Sequence, residues 1–475
     1  MKTRRLTKKE MRIFAVGQLG WSILSGIIGT WLVTFYLPTT EAAKDSGALF
    51  YVPTGLVIFG VLTILGLITF ICRIFDAVTD PWIASMSDRS RHPEGRRIPF
   101  MRRAAIPFAI VTVLVFCTPF GGVKFGSGSA TNPLNIVWIL ITLILFYLFM
   151  TMYCTPYNAL ISEFGNTQDD RMYISTAISL TSFFGTLLAY LPFALAGPLQ
   201  GIVGYAWSYR IWFIFLASVA LICMLIPVFK LKEKDFVDAE PSDSNAFSSL
   251  AKTFKNTEFR KFSASDIMYW VGLTLFQTGL PFFVKVSMHI NESNTMLFMG
   301  GMTVLSACFY PFVSKLVAKH GKKKLVIAGF FGLAFAYLIT ALIGVVLPTE
   351  SMIPGIMIVI ISAFPMALLG IIPQAIVADV AEEDAKLTGE NREGMFFAAR
   401  TFAMKFGQSV AMLVFTSLAV LGAKQETGIN ELTASAEGLR IVAIVAVCFC
   451  VLGALILFAY DEKKVMRTIR QNMEK

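Results

Sequence analysis

Charged residues are scarce in this chain of 475 residues: Asp, Glu, Lys and Arg make up 15% of it, and 56% of the residues are hydrophobic. A soluble domain usually carries about a quarter of its residues as charged ones. The scarcity of charge therefore excludes an ordinary water-soluble protein. It indicates a protein whose outer surface is covered by lipid.

Histidine and reactive motifs are also scarce. The three histidines, His92, His289 and His320, do not form a metal-ligand pattern. The chain lacks G-x-x-x-x-G-K-[ST], the phosphate-binding loop of ATP-driven proteins, and a convincing nucleophile motif. We therefore predict neither an enzyme nor a bound cofactor. All seven cysteines fall in apolar segments, which argues against a disulfide framework.

Apolar segments fill the chain from end to end. A helix needs about 20 apolar residues to cross a hydrocarbon core about 30 Å thick. Twelve segments are of about this length or longer: 13–37, 49–86, 104–120, 134–163, 172–198, 206–229, 263–288, 295–319, 324–347, 353–383, 394–422 and 438–460. The sequence therefore predicts an all-α membrane protein with twelve transmembrane helices and, because the N-terminal charges precede a full span, no cleavable signal peptide.

Positive charge alternates between successive loops. Lys and Arg crowd the N-terminus, the loops SDRSRHPEGRRIPFMRR and KHGKKK, and the C-terminal tail, whereas GGVKFGSGSATNP and VLPTESMIP are almost free of them. The positive-inside rule then predicts cytoplasmic N- and C-termini in a multi-pass protein of the cell membrane. Because this arrangement accounts for the net charge of +10, nucleic acid is not an expected partner.

The longest polar stretch, 230–262, separates the first six predicted spans from the last six. We predict an N-terminal six-helix bundle (1–229), a cytoplasmic middle loop (230–262) and a C-terminal six-helix bundle (263–475). The loops SDRSRHPEGRR and KLVAKHGKKKL, after spans two and eight, both place a glycine before basic residues. Two halves of like orientation predict the major facilitator fold, in which a pseudo-two-fold axis along the membrane normal relates the halves.

Span two carries charges that are unfavourable in a membrane. Arg73, Asp76 and Asp80 recur at helical spacing on one face, with Thr79 beside them. Adjacent carboxylates in a low dielectric repel unless a proton or a cation neutralises them, and oxygen ligands suit Na⁺ or Li⁺. Asp76 and Asp80 are therefore predicted to bind a metal cation together with the Thr79 hydroxyl. The alternative is that the span ends before Asp76 and these charges are cytoplasmic.

Span eleven contains a second charge, Lys405, with Thr401 one turn before it. A lysine among apolar residues loses its proton or finds a partner. Asp76 or Asp80 is the predicted partner. The alternative is that the Lys405 side chain extends to the cytoplasmic surface.

Two motifs carry a resemblance to a known family. R-x-x-D-A-x-x-D-P at 73–81, followed by the D-R-S-R…G-R-R-x-P loop, and ADVAEEDAKLTGENREGMFFAARTFAMKFG at 378–407 resemble the glycoside–pentoside–hexuronide:cation symporters. The resemblance implies that Asp76, Asp80 and Thr151 bind Na⁺, Li⁺ or H⁺. It also implies that Lys405 couples the ion to transport, and we expect Arg73, on the same face as the carboxylates, to assist.

The sugar-binding part of the family pattern is absent. Melibiose-type members hold sugar hydroxyls with aspartates of spans one and four, and here Ser22 and Cys154 stand at those positions. Asn158 replaces a tryptophan, Ser179 replaces an arginine, and Thr79 replaces an asparagine of the ion site. The resemblance therefore implies the ion site but no particular sugar.

Neutral polar and aromatic residues remain to line a solute cavity, since rings cover the apolar faces of a sugar while amides and hydroxyls meet its hydroxyl groups. The alternative is that these residues only pack helices together. The predicted substrate-binding residues are Gln18, Trp21, Ser22, Cys154, Asn158, Gln374 and Thr401, and further lining candidates are Ser25, Tyr153, Trp270 and Gln277.

The basic loop 87–103 is predicted to act as a gate that closes the cytoplasmic side. Asp88 would cap or pair with a neighbouring helix end, and Arg89, Arg96 and Arg97 would reach carboxylates of adjacent segments. The alternative is that these charges only set topology. The candidate carboxylates are Glu163, Asp379, Glu382 and Glu383.

Together these features predict a monomeric, cation-coupled secondary symporter that imports a glycoside or a related small polar solute with Na⁺, Li⁺ or H⁺ by alternating access. An alternative with the same fold is a sodium-dependent lysolipid or amphiphile transporter, because the sugar carboxylates are missing and 42 phenylalanines are present. A third possibility, a membrane receptor or enzyme, lacks a supporting motif.

Overall fold

The computed structural model describes the chain except residues 1–3, 45, 56–57, 60–61, 128, 166–167, 237–245, 390–392, 424–431 and 472–475. The described elements follow one another in this order: α1 (Lys8–Tyr36), α2 (Thr40–Lys44), β1 (Leu49–Phe50), α3 (Ile64–Asp88), α4 (Ile98–Phe116), β2 (Val123–Lys124), α5 (Leu134–Phe164), α6 (Gln168–Ala189), α7 (Leu191–Leu195), α8 (Gly197–Val203), α9 (Tyr205–Lys230), a 3-10 turn (Glu233–Asp235), α10 (Ala246–Thr253), α11 (Thr257–Phe282), a π-helical turn (Phe283–Ser287), α12 (Asn294–His320), α13 (Lys322–Ala341), α14 (Ile353–Thr388), α15 (Glu393–Leu418), α16 (Ala436–Phe458) and α17 (Glu462–Gln471).

Twelve of these described helices contain 19 residues or more, and they correspond in order to the twelve predicted apolar segments. Ten of the twelve are long and apolar enough to cross a membrane. The exceptions are α3 and α15, the helices that carry Asp76, Asp80 and Lys405. That α3 and α15 also cross the membrane, which would give twelve crossings, therefore remains a prediction.

The second predicted segment, 49–86, is wrong in its first part. Leu49–Phe50 form β1, which pairs antiparallel with β2, and helix α3 begins only at Ile64. Pro53 follows the strand, and a proline disfavours regular pairing because it lacks a backbone N–H. At the other end α3 continues through Pro81 to Asp88, so the helix does not stop before Asp76.

Helix α1 begins before the predicted apolar segment because its first turn is capped. The Glu10 N–H donates to Thr7 Oγ1 at 3.3 Å, and the Thr7 N–H donates to Glu10 Oε2 at 2.8 Å. This reciprocal capping box satisfies donors that a helix start leaves open. The helix therefore extends into the basic N-terminal segment.

Contacts along the chain define two compact units. The first consists mainly of Met1–Thr54 and Val78–Asn245, and the second of Gly55–Ala77, Ala246–Gln425 and Leu432–Lys475. The first half of α3 thus belongs to the second unit, and the rest of that helix belongs to the first. The predicted limits of the two bundles and of the middle loop remain predictions.

In the first unit, α1 packs on α6 and α9, and α4 packs on α5 and α9. Trp31 Nε1 donates to the Ala189 carbonyl at 2.8 Å, and the Trp31 ring stacks on Phe193. Gly20 brings α1 close to α9, since a Cβ atom on Gly20 would lie 2.7 Å from Met224 Cγ. Small and aromatic residues therefore fix the centre of this unit.

In the second unit the corresponding helices pack in the same way. Helix α11 packs on α15 and α16, and α13 packs on α14 and α16. Ser265 donates to the Gly453 carbonyl at 2.8 Å, which ties α11 to α16. In each unit, the first long helix of the six contacts the fifth and sixth, and the third contacts the fourth and sixth. This correspondence agrees with the internal repeat that the two glycine-containing basic loops indicate.

Candidate functional site

Asp76 lies on α3 and is completely buried. Lys405 Nζ, on α15, lies 2.7 Å from Asp76 Oδ1, and a guanidinium nitrogen of Arg73 lies 3.9 Å from Asp76 Oδ2. Lys405 is buried as well, so both members of the pair are removed from solvent. Removal of one member of a buried pair leaves an uncompensated charge, which is strongly unfavourable. Lys405 therefore pairs with Asp76, and its side chain does not extend to the surface of the protein.

Asp80 lies one helical turn beyond Asp76 on α3. The Thr151 hydroxyl donates to Asp80 Oδ1 at 3.2 Å, and the Thr155 hydroxyl donates to the same oxygen at 3.4 Å. Thr79, which precedes Asp80 in the sequence, is also buried. Carboxylate and hydroxyl oxygens are the ligands that hard cations prefer. Thr155 was not predicted from the sequence, although its spacing of four residues from Thr151 on α5 is a signal that indicates it.

Two predicted substrate residues on α1 contact each other. Gln18 Nε2 donates to Ser22 Oγ at 2.9 Å, and Ser22 Oγ lies 3.4 Å from Ser182 Oγ of α6. Gln18 Oε1 and Trp21 Nε1 are buried and make no hydrogen bond to the residues that the structure describes. Buried polar atoms are nearly always hydrogen-bonded, so this acceptor and this donor on one helix are exceptions.

The other predicted substrate residues differ in surroundings. Asn158 and Gln374 are exposed, and Cys154 is half-buried. The Thr401 hydroxyl donates to the Phe397 carbonyl at 3.0 Å, within its own helix. The Tyr153 hydroxyl donates to the Met224 carbonyl at 2.9 Å, so it links α5 to α9. The hydroxyl hydrogens of Thr401 and Tyr153 are therefore already engaged by backbone.

The basic loop is tied to Glu163 at the end of α5. Nitrogens of Arg96 and Arg97 lie 3.0 Å and 3.2 Å from Glu163 Oε1, and Arg97 also donates to Ser87 Oγ at 2.6 Å. Arg89 is exposed. The Asp88 side chain lies outside the described residues. The loop is therefore held within the first unit by charge-assisted hydrogen bonds.

The candidate gate partners of the second unit have basic neighbours in that unit. Asp379 accepts a hydrogen bond from Lys322 Nζ. Glu382 lies 2.9 Å from Lys386 Nζ, four residues further along α14, and Glu383 is buried. The pair of Asp379 and Lys322 corresponds to that of Glu163 and Arg96, because each joins the C-terminal part of the fourth long helix to the start of the third.

Glu233 has a role that the sequence analysis missed. Its carboxylate accepts the backbone N–H groups of Arg96 at 2.7 Å, Arg97 at 2.8 Å and Ile98 at 2.9 Å, at the start of α4. In the second unit Glu462 accepts the N–H of Lys322 at 2.7 Å in the same way. A negative charge at a helix N-terminus offsets open N–H donors and the helix dipole. A separation of 137 residues between Glu233 and Arg96 hides this contact from local sequence patterns.

A buried ion pair between α11 and α15 was also missed. Arg400 donates to Asp266 through two nitrogens, Nε at 2.9 Å and a terminal nitrogen at 3.1 Å. The Asp266 side chain is 1% exposed. The pair is adjacent in sequence to Thr401. A single aspartate in span seven and a single arginine in span eleven were the available signals.

Residues 13–461 match the family model described as MFS/sugar transport protein, and the chain belongs to this family. It is a multi-pass membrane protein of a transport family, not an enzyme.

Individual relatives are distant but extend over most of the chain. The chain is 25% identical to the putative glycoside/cation symporter YagG of Escherichia coli strain K12, over 83% of this chain and 81% of that protein. It is 22% identical to the sodium-dependent lysophosphatidylcholine symporter 1-A of Danio rerio, over 97% and 87%. The crystal structure of a D-xylose–proton symporter superposes with a TM-score of 0.62 at 16% identity, over 96% and 98%. The fold is therefore the major facilitator fold.

Proposed function

We propose that this protein is a secondary symporter that imports a glycoside or a related small polar solute with Na⁺, Li⁺ or H⁺ by alternating access. It acts as a monomer in the cell membrane, with cytoplasmic termini and no cofactor besides the transported ion. The observation that carries the proposal is the buried contact of 2.7 Å between Lys405 and Asp76, one turn before Asp80.

In this proposal the ion site consists of Asp76, Asp80, Thr79 and Thr151. A cation that enters next to Asp76 competes with the Lys405 ammonium for the same negative charge. The arrival of the ion therefore changes the balance of charge between α3 and α15, and binding of an ion can be linked in this way to a change of conformation. Arg73, at 3.9 Å from Asp76, supplies a second positive charge that the ion must compete with.

The solute contacts in this proposal are neutral. Gln18 Oε1 and Trp21 Nε1 offer a buried acceptor and a buried donor, and Ser22 lies within the same hydrogen-bonded group. None of the predicted substrate residues is charged. An uncharged solute with several hydroxyl groups suits such a set better than an ion does. The basic loop 87–103 then acts as the gate on the cytoplasmic side.

Uptake into proteoliposomes tests the function. The purified protein should accumulate at least one glycoside of a panel against its concentration gradient when a Na⁺, Li⁺ or H⁺ gradient is imposed. Asp76→Asn and Asp80→Asn should abolish accumulation while the protein still inserts. Asp235→Asn, which removes the same charge from an exposed carboxylate, should leave uptake unchanged. Unaltered accumulation and ion dependence in both site variants would place the ion site elsewhere.

A second candidate is a lysolipid or amphiphile transporter of the same fold. The similarity to the lysophosphatidylcholine symporter over 97% of this chain favours it. Lysolipids are therefore tested together with the glycosides as competitors in a counterflow assay. Inhibition of counterflow by a lysolipid and by no glycoside would support this candidate over the first. Failure of every solute to accumulate would exclude both.

A further inference from the structure

A small cavity lies in the second unit, where α13 and the π-helical turn after α11 end and α16 begins. Its volume is about 170 Å³, and Ser287, His289, Gly344, Ala436 and Arg440 are among the residues that line it. Among the described residues, the wall contains an arginine and a histidine and no carboxylate. A space of this size accommodates several water molecules or one small polyatomic ion.

Arg440 is the charged group of the cavity. Its Nε atom is buried and makes no hydrogen bond. Among the residues that the structure describes, no carboxylate forms an ion pair with Arg440. The guanidinium faces Gly344, since a Cβ atom there would lie 4.0 Å from an Arg440 terminal nitrogen. Because the guanidinium charge lines the cavity without a paired carboxylate among the described residues, this side of the cavity is suited to a negatively charged ligand.

The nearby acidic residues lie outside the cavity wall. Glu437 follows Ala436, but it lies against Gly422, where a Cβ atom would be 3.1 Å from Glu437 Cβ. Glu350 follows the lining residue Thr349 and is exposed. Neither glutamate belongs to the cavity wall. The start of α16 at Ala436 adds the partial positive charge of a helix N-terminus.

The backbone around the cavity is irregular at three points. Ser287 ends the π-helical turn Phe283–Ser287. His289 adopts a left-handed conformation with φ of 53°, which is uncommon for a residue other than glycine, and Gly344 has φ of 74°. Such departures from regular backbone concentrate at binding sites, where the geometry of the site offsets their energy.

We propose that this cavity binds a small oxyanion, with Arg440 as the charged ligand and the Ser287 and Thr349 hydroxyls and His289 around it. The anion is either a free sulfate, phosphate or carboxylate or the phosphate of a lipid headgroup, because these present the same oxygen acceptors to a guanidinium. Since the cavity lies where α11, α13 and α16 meet, the bound anion stabilises the second unit. This site is separate from the proposed transport site and does not depend on it.

Thermal unfolding tests the proposal. The protein in nanodiscs of phosphatidylcholine is titrated with sodium sulfate, sodium phosphate or sodium acetate, and sodium chloride keeps the ionic strength constant. The melting temperature should rise to a plateau with at least one of these salts. Arg440→Gln should raise the half-maximal concentration at least tenfold. Lys463→Gln, which removes one positive charge from an exposed position on α17, should match the wild type.

A second variant covers the case in which Arg440→Gln does not fold. Thr349→Val removes a hydroxyl and keeps the shape of the side chain, and it should raise the half-maximal concentration several-fold. For a lipid headgroup, the expected result is no response to added salts and a higher content of co-purified phospholipid phosphorus in wild type than in Arg440→Gln or Thr349→Val. Equal half-maximal concentrations and equal phosphorus contents in the wild type and the variants would overturn the proposal. The absence of any response, together with equal phosphorus contents, would overturn it too.

Discussion

Glu233 packs directly against Gly95, where a Cβ atom would lie 2.6 Å from the carboxyl carbon of the glutamate. Gly95 has φ of 131°, a backbone conformation that residues with a Cβ atom rarely adopt. Gly321, with φ of 82°, stands in the same relation to Glu462, whose Oε2 would lie 3.1 Å from such a Cβ atom. The glycine of each basic loop therefore lets a distant carboxylate reach the start of a helix.

Gly95→Ala should destabilise the first unit. The added methyl group overlaps Glu233, and the backbone conformation at this position is strained for alanine, so we expect a loss of about 1–3 kcal/mol. Thermal unfolding of the purified protein measures the effect. Gly29→Ala is a matched control, because a Cβ atom at Gly29 meets no atom within 4 Å. Equal melting temperatures for the two variants would contradict the packing described here.

Arg97→Ala should loosen the proposed gate. The variant loses the contact with Glu163 at 3.2 Å, at the end of α5, and the contact with Ser87 at 2.6 Å, at the end of α3. We expect single-cysteine reporters on the cytoplasmic side to react faster with a membrane-impermeant thiol reagent than in the parent protein. If reagent accessibility from both faces is the same with and without the substitution, the loop charges only set topology.

Lys405→Ala should uncouple transport from the ion gradient. The variant leaves Asp76 without its partner at 2.7 Å, so a proton should replace the metal ion more readily to neutralise the carboxylate. We expect loss of concentrative uptake, partly retained downhill exchange, and an altered dependence on Na⁺ and pH. Lys405→Arg, which keeps the charge, should retain more coupling. An equal loss of solute affinity under every ion condition would instead identify Lys405 as a solute ligand.

Thr151→Val should weaken activation by the cation. The hydroxyl lies 3.2 Å from Asp80 Oδ1, and its removal takes one oxygen away from the proposed ion site. The cation concentration for half-maximal uptake should rise several-fold, and Thr155→Val should have a smaller effect. Thr142→Val on the same helix is the control, because its hydroxyl donates to the Trp138 carbonyl at 2.7 Å, away from Asp80. Identical cation dependence in Thr151→Val and Thr142→Val would remove Thr151 from the ion site.

Asp266→Asn should destabilise the second unit more than replacement of the whole ion pair does. The single variant leaves the Arg400 charge buried without its partner, a loss of about 3–5 kcal/mol, whereas two apolar residues avoid this penalty. Unfolding of the wild type, Asp266→Leu, Arg400→Met and Asp266→Leu/Arg400→Met completes a double-mutant cycle, and Asp266→Asn is measured beside it. Additive effects of the single changes would show that the pair, despite distances of 2.9 and 3.1 Å, contributes no coupling energy.

The sequence alone determined the helical architecture and the positions of the charged residues within each helix. Apolar length and alternating loop charge depend on local composition, and helical periodicity places Asp76 and Asp80 one turn apart wherever the helix lies. It also indicated that Lys405 needs a partner. The same reasoning failed at Leu49–Phe50, because an apolar stretch followed by Pro53 can form a strand as well as a helix.

Which side chains meet depends on the tertiary structure. Asp76 and Asp80 are equivalent by sequence pattern, yet Lys405 contacts Asp76 while Thr151 and Thr155 bind Asp80. The pairing of Arg400 with Asp266 joins residues 134 positions apart. Contacts of this kind depend on how helices pack face to face, and that packing is set by many side chains at once. No local pattern of spacing records it, so the chemistry of the individual residues was predictable and most of their partners were not.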